Sequence, residues 1–297
     1  MKQIYPNYYD DFTCIADKCK HNCCIGWEID IDDDTMDIYD SIGGEFGKKL
    51  HQGIDRKNQC FKLCENDRCA FLNEKGLCDI ILNLGEGALC DICNDHPRFR
   101  NFYSDQTEVG LGMCCEEAGR IILTSDILPL IEEEDDEECG IPSDDETELL
   151  NAKAEMLALL CDKSISYAEC EKMLLNMCEG NLHKLSPKEL ADILRGLERL
   201  DNEWDKSIDI LKGANEFSYL ADEYSKRLAS YFIFRHMNDI DSVGRVISFC
   251  VTAVRIIGTI CKQGNVSGSL CDIIEVARAF SAEIEYSDEN INILLDI

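Results

Sequence analysis

Positive charge is scarce in this 297-residue chain: 29 lysines and arginines stand against 59 aspartates and glutamates, a formal charge of −30. A surface that negative repels phosphate backbones, so nucleic acid is not an expected partner. It suits a lysine-bearing protein, and equally it serves solubility with no partner at all. The opening MKQIYPNYYDDF carries one lysine, then tyrosines, a proline and acids, so it has no apolar leader segment. A clean membrane span is missing too. The longest apolar stretch, Val243 to Cys261, is broken by Gly244, Arg245 and Arg255 and is expected to form a buried core helix. Together these absences predict a cytoplasmic protein with no membrane partner. Neither βαβ alternation nor an internal repeat is present, and 45% apolar with 8% aromatic residues marks a globular chain long enough for a real core.

Sulfur is what the chain has in excess. Cytosolic thiols are kept reduced, so 19 cysteines favour metal binding or redox chemistry over disulfides. Twelve of the 19 fall between Cys14 and Cys115. The other seven, Cys139, Cys161, Cys170, Cys178, Cys250, Cys261 and Cys271, sit mostly among apolar residues and read as small hydrophobes of a core.

The fold class expected is α+β, predominantly α. A cysteine-rich metal-binding region with short strands spans 1–125, an acidic linker 126–148, and an all-helical domain 149–297. Within the linker, IEEEDDEECGIPSDDETE repels itself and carries Gly140 and Pro142, as a loop does. Beyond it, Ser166-Tyr-Ala-Glu169 and Ser186-Pro187-Lys-Glu189 are capping-box helix starts. Further helices are expected over Phe217 to His236, Asp241 to Lys262 and Ser269 to Ala282. In the first region, Trp27, Ile29 and Ile31 alternate with acids as a half-buried strand does, and Val109, Leu111 and Met113 repeat the pattern. Cys69 to Cys78 reads as a hairpin turning at Asn73 to Gly76, with Phe71 opposite Cys78 and Cys69 a diagonal neighbour about 7 Å away.

Thiolates bind zinc tetrahedrally or hold iron–sulfur clusters, and both need ligands drawn from short constrained segments. Cys14-x4-Cys19-x3-Cys23-Cys24, Cys69-x8-Cys78, Cys90-x2-Cys93 and Cys114-Cys115 are four such groups. Neighbouring side chains diverge, so each adjacent pair implies two sites, one larger cluster, or a ligand beside a packing thiol. Spacing alone does not choose between zinc and iron–sulfur. Two enzyme signatures are missing: Gly26 stands where a radical S-adenosylmethionine motif needs a cysteine, and no glycine-rich strand-to-helix loop marks a Rossmann-like fold.

Three stretches, FTCIADKCKHNCCIGWEIDID, CAFLNEKGLCDIILNLGEGALCDICNDHPRFRN and LGMCCEEAGRIIL, resemble the flagellin lysine-N-methylase (FliB-type) family. The core is also similar to a wider group of zinc- or iron-chelating cysteine-cluster proteins. The resemblance covers most of residues 8 to 123. It implies methyl transfer from S-adenosylmethionine to protein lysines, with flagellin as the typical substrate and an iron–sulfur cluster, of the 4Fe-4S kind, or zinc as the metal. Matched residue by residue, it makes Cys14, Cys19, Cys23, Cys24, Cys69, Cys78, Cys93 and Cys115 the metal candidates. Cys60, Cys64, Cys90 and Cys114 fall outside the pattern and read as accessory thiols. Beside this resemblance, Trp27 is a candidate for stacking on adenine and Arg98 for holding the donor carboxylate, with core packing and a structural ion pair as the plainer readings. His96 reads as part of a structural turn, and Tyr5, Tyr8 and Tyr9 either line a channel or are partly buried. A non-enzymatic metal-binding or sensing protein is the alternative function.

Overall fold

A computed structural model describes residues 1–134, 139–178, 185–264 and 269–297. Among them are thirteen α-helices and six strands. The first half holds β1 (Lys2–Pro6), α1 (Asp33–Ser41), α2 (Gly44–Gly53), β2 (Ile54–Asp55), β3 (Cys60–Phe61), α3 (Asp79–Leu84), α4 (Asp91–Asp95), β4 (Arg98–Phe102), β5 (Gln106–Leu111), α5 (Glu116–Thr124) and β6 (Leu130–Glu134). Helices follow: α6 (Asp144–Cys161), α7 (Tyr167–Asn176), α8 (Pro187–Gly196), α9 (Trp204–Gly213), α10 (Asp222–His236), α11 (Val243–Gln263), α12 (Leu270–Ile284) and α13 (Asp288–Leu295). The fold is predominantly α with a small β component, as expected.

The chain forms two compact units, one of Thr13–Arg98 and one of Met1–Phe12 with Phe99–Ile297. Their edges differ from the boundaries expected at 125 and 149, because a strand from the very start of the chain completes a sheet built from residues near 100 and 130. That sheet runs β4-β5-β1-β6, with β1 parallel to β5 and antiparallel to β6. Ile4 stands opposite Glu108 on one side and Glu132 on the other. A strand as short as KQIYP carries too little alternation to announce itself.

β6 also corrects the reading of the acidic run as linker. Ile131 to Glu134 are strand, and the carboxylates on them are matched: Lys2 pairs with Glu132 at 2.9 Å and the Tyr5 hydroxyl donates to Glu133 at 2.6 Å. Residues 135–138, the centre of that run, lie outside the described residues. After them Ser143 and Glu146 form a capping box, so α6 begins inside the stretch assigned to linker.

β5 is buried on both faces, and Glu108 is buried with it because α6 supplies a counter-ion. Lys153 Nζ lies 2.5 Å from Glu108 Oε2, with both side chains nearly inaccessible. The Tyr103 hydroxyl and Asn101 amide also bond this carboxylate, at 3.1 and 3.2 Å. A second buried network joins α10 to α12: Glu285 accepts from Tyr231 at 2.9 Å and meets His236 Nε2 at 2.5 Å and Arg235 Nε at 3.2 Å. Burial penalises its charge, yet Arg235 and His236 hold Glu285 below the usual carboxylate range.

The helices expected at Ser166 and Ser186 are present with both capping boxes formed. α10 starts at Asp222 rather than near Phe217, because residues 218–219 cross α11 closely. The Ser218 amide bonds Thr259 Oγ1 at 3.0 Å, and a Cβ on Gly258 would stand 2.5 Å from the Ser218 carbonyl oxygen. Ile240–Gln263 is long and apolar enough to cross a membrane, and 72% of its apolar window is buried by the rest of the fold, the state of a core helix. Of the seven scattered cysteines, Cys170, Cys250 and Cys261 are buried as expected, while Cys139 and Cys271 are exposed and so are not core residues.

The smaller unit is richer in helix than its sequence suggests. Its paired strands are limited to β2–β3 and isolated bridges. Asp32 caps α1 by accepting from the Thr35 amide at 2.8 Å, and its other oxygen accepts from the Asp91 amide at 2.9 Å, tying α1 to the start of α4. Tyr39 repeats that tie, donating to the Ala88 carbonyl at 2.7 Å. Ile29 and Ile31 are buried and bonded to 59–61, as the alternation predicts. Trp27 is 39% exposed, set apart from them by the positive φ of Gly26.

Candidate metal centre

Backbone pairing draws distant cysteines of the smaller unit together. The Cys69 amide donates to the Cys24 carbonyl at 2.9 Å. The Cys69–Cys78 segment turns at Asn73 to Gly76: Asn73 and Leu77 bond at 3.0 Å, and the Asn73 side chain accepts from the Lys75 and Leu77 amides. The register is one residue off the expected one, since Leu72 rather than Phe71 stands opposite Cys78. Cys90 caps α4 with extended backbone and Cys93 lies one turn on, so their side chains share a face. Cys24, Cys69, Cys78, Cys90 and Cys93 all belong to one small core built on Tyr39, Phe61, Phe71 and Ile80.

The sulfurs act on one another's acidity. The Cys24 thiol lowers Cys23, and Cys23 raises Cys24, which Cys69 and Cys78 push up further. Cys93 lowers Cys90, and Cys90 raises Cys93, with Cys24 and Cys69 adding to that rise. Burial lifts Cys69 to about 11, with Cys78, Cys64 and Cys90 contributing. Burial also raises Cys78, where Asp79 and Cys23 reinforce it. Asp32 adds its negative charge beside Cys90. Sulfurs gathered in a half-buried, acidic surround are unfavourable as thiolates until a cation joins them, and a bound metal inverts that balance.

Among the described residues no three His, Cys, Asp or Glu side chains close on one point as a single ion requires. A tetrahedral zinc–thiolate site needs all its sulfurs about 3.8 Å apart, given zinc–sulfur bonds of about 2.3 Å. Here the thiols pair in twos, Cys23 with Cys24 and Cys90 with Cys93. That donor set is chemically right for a metal centre and looser than a mononuclear site.

The remaining candidates lie differently. Cys14 is exposed, its sulfur accepting from the Ala16 amide at 3.4 Å, and Cys19 donates to the His21 carbonyl at 3.2 Å. Cys115 caps α5 in the larger unit and packs against that unit's core. Trp27 is held beside the thiols, its indole N–H donating to the Cys23 carbonyl at 2.6 Å and its ring tilted against His96 at 6.4 Å. Burial depresses His96 to about 4, which keeps the ring neutral at pH 7. Arg98 reaches the Asn94 carbonyl at 3.4 Å. Of the tyrosines, Tyr5 and Tyr8 are buried and Tyr9 half-buried.

Sequence reasoning set Cys90 aside, although Cys90-x2-Cys93 was the signal that marks it. It also missed the Glu285–Arg235–His236 network, which no local pattern announces. A cavity of about 290 Å³ in the larger unit, lined by Asp126, Lys163, Lys226 and Arg227, is a weaker candidate site. Its cations are already engaged, Lys226 with the Asp162 carbonyl at 2.6 Å and Arg227 with the Leu123 carbonyl at 2.9 Å.

Comparison with known proteins agrees with the family resemblance. The lysine-N-methylases of Salmonella typhimurium and Salmonella choleraesuis are each 28% identical to this chain over 144 residues. Over that segment this chain is similar to the lysine-N-methylases. The flagellar biosynthetic protein FliU of Salmonella muenchen is likewise 28% identical, over 142 residues. Each match covers 44% of this chain; it covers 36% of the methylases and 84% of FliU. The methylase-related segment therefore spans little more than a third of those curated enzymes. No family model and no solved structure matches the chain.

Proposed function

We propose that this methylase relative is a cytoplasmic protein-lysine N-methyltransferase that uses S-adenosylmethionine, acts on a flagellin-like protein, and carries an iron–sulfur cluster on its cysteine-rich unit. The observation that carries the reading is the convergence of Cys23, Cys24, Cys69, Cys78 and Cys93, all positions of the family pattern, in a chain related to named lysine-N-methylases. A donor set in which no three of the described side chains close on one point suits a cluster of several irons and inorganic sulfides better than one zinc ion.

Bound S-adenosylmethionine supplies an electrophilic methyl group. A lysine ε-amine, deprotonated and aligned at near-attack distance, forms the N–C bond as the sulfonium C–S bond breaks; the thioether leaves and a proton passes from the nitrogen to solvent. Simple methyl transfer needs no electron, so the thiol-held centre acts by organising the chain around the donor. Trp27, tied to Cys23 and with part of its ring open, is the candidate for stacking on the adenine. Arg98 is the candidate partner of the donor carboxylate. The surface charge of −30 favours a lysine-bearing protein as substrate.

Anaerobically prepared protein incubated with methyl-labelled S-adenosylmethionine and flagellin tests the reading. Label on flagellin lysines supports it; donor binding without transfer, or no donor binding, overturns it. The latter outcomes favour a metal-binding protein without enzyme activity, a reading supported by the chain matching only 36% of the methylases' length.

A further inference from the structure

We propose that Cys90, which lies outside the family's cysteine pattern, is a ligand of the metal centre and forms a two-thiolate chelate with Cys93. The inference rests on the metal-binding half of the proposed function and names a donor that the pattern leaves out.

Four cysteines fall outside that pattern, and their surroundings separate them. Cys64 is exposed. Cys60 is buried in β3, and the charged groups acting on it are the carboxylates of Glu28, Asp55 and Asp30. Cys114 belongs to the larger unit, beside Tyr286 and Arg235. Cys90 alone of the four is a buried member of the core that also holds Cys24, Cys69, Cys78 and Cys93.

Its position is also fixed by more than apolar packing. Tyr39 anchors the carbonyl of Ala88, Asp32 anchors the amide of Asp91, and the Cys90 carbonyl accepts from the Asn94 amide at 2.9 Å. Hydrogen bonds on both sides of residue 90 thus fix its backbone at the head of α4, one helical turn before Cys93. Two cysteines separated by two residues on such a turn are a common metal chelate, because both sulfurs reach one side without backbone strain.

The experiment compares the parent protein with Cys90→Ser, Cys93→Ser and Cys60→Ser. Cys60 is the control for removing a buried thiol from the same unit. Each protein is reconstituted anaerobically with ferrous iron and sulfide, and separately with cobalt(II) alone; bound metal, visible absorbance and electron paramagnetic resonance are recorded. Thermal midpoints of the metal-free proteins report any folding cost. The expected result is that Cys90→Ser and Cys93→Ser each weaken metal retention by about 100-fold or change the sulfur-to-metal absorbance and resonance, while Cys60→Ser keeps the parent's values. Parent-like iron content and spectra in Cys90→Ser overturn the proposal. A parent that binds neither iron nor cobalt overturns the metal reading itself, and this proposal with it. If Cys90→Ser does not fold, parent protein loaded with NMR-active cadmium decides: a scalar coupling from cadmium to the Cys90 β-protons supports ligation, and coupling confined to other cysteines refutes it.

Discussion

Replacing Lys153 with methionine isolates the energetic weight of the buried pair that locks α6 onto β5. Methionine preserves the length and most of the volume of the lysine stem, so little steric strain is introduced. What disappears is the ammonium 2.5 Å from Glu108 Oε2 and 2.9 Å from the Tyr103 hydroxyl. Burial lowers the lysine's pKa while Glu108 pulls it back up, and without the ammonium Glu108 keeps only Tyr103 and Asn101 as partners. An uncompensated buried carboxylate costs about 3–5 kcal/mol. In a unit of this size each kcal/mol moves the midpoint by about 2–4 °C, so Lys153→Met should melt roughly 6–20 °C below the parent. Adding Glu108→Leu should recover much of the loss, since two apolar residues replace two charges, and the double-mutant cycle should show a coupling of about 2 kcal/mol or more. Circular dichroism melts and urea titrations under reducing conditions measure both quantities. A single-variant cost below about 1 kcal/mol, or a double variant that loses the sum of the two singles, would refute the buried pair.

Three further outcomes are expected. Burial outweighs the attraction of Glu285 and lowers the pKa of His236, with Arg235 and Lys153 also opposing its protonation. The unfolded chain therefore takes up a proton near pH 6.5 that the folded chain refuses, so stability should fall as pH drops through that value. His236→Gln should flatten that slope in urea titrations, and an unchanged slope sinks the assignment. Gly258→Ala places a methyl against the Ser218 carbonyl and should cost about 1–3 kcal/mol by the same titration; a neutral result means the 218–219 segment does not cross α11 so closely. If Trp27 stacks on the donor's adenine, Trp27→Ala should leave metal content intact and weaken S-adenosylmethionine binding in equilibrium dialysis by about tenfold; unchanged affinity removes Trp27 from the donor site.

The legible parts of the fold were those written in local chemistry. Ser166 and Ser186, each with a glutamate three residues on, announced their helices, and Asn73 to Gly76 announced its turn. The same signal at Ser143 was hidden inside the acidic run, where the carboxylate serving the cap looked like one more solvated charge. β6 was missed because its neutralising partners, Lys2 and Tyr5, lie some 130 residues away in sequence. The gathering of Cys23, Cys24, Cys69, Cys78 and Cys93 was foreshadowed by their spacing. Cys90 falls outside the family pattern, and its place in the same core is written only in its two-residue spacing from Cys93. Glu108 with Lys153, and Glu285 with Arg235, are pairings between elements, and nothing within either element names the other.

The order in which the sheet is assembled has a consequence for biosynthesis. β1 leaves the ribosome first, yet neither neighbour exists until synthesis reaches Gln106 and then Leu130. Everything from Thr13 to Arg98 emerges in the interval, so the thiol-bearing unit can fold while β1 still waits for a partner. Folding of that unit during translation, before the sheet of the larger unit closes, is the natural schedule for a chain threaded in this way.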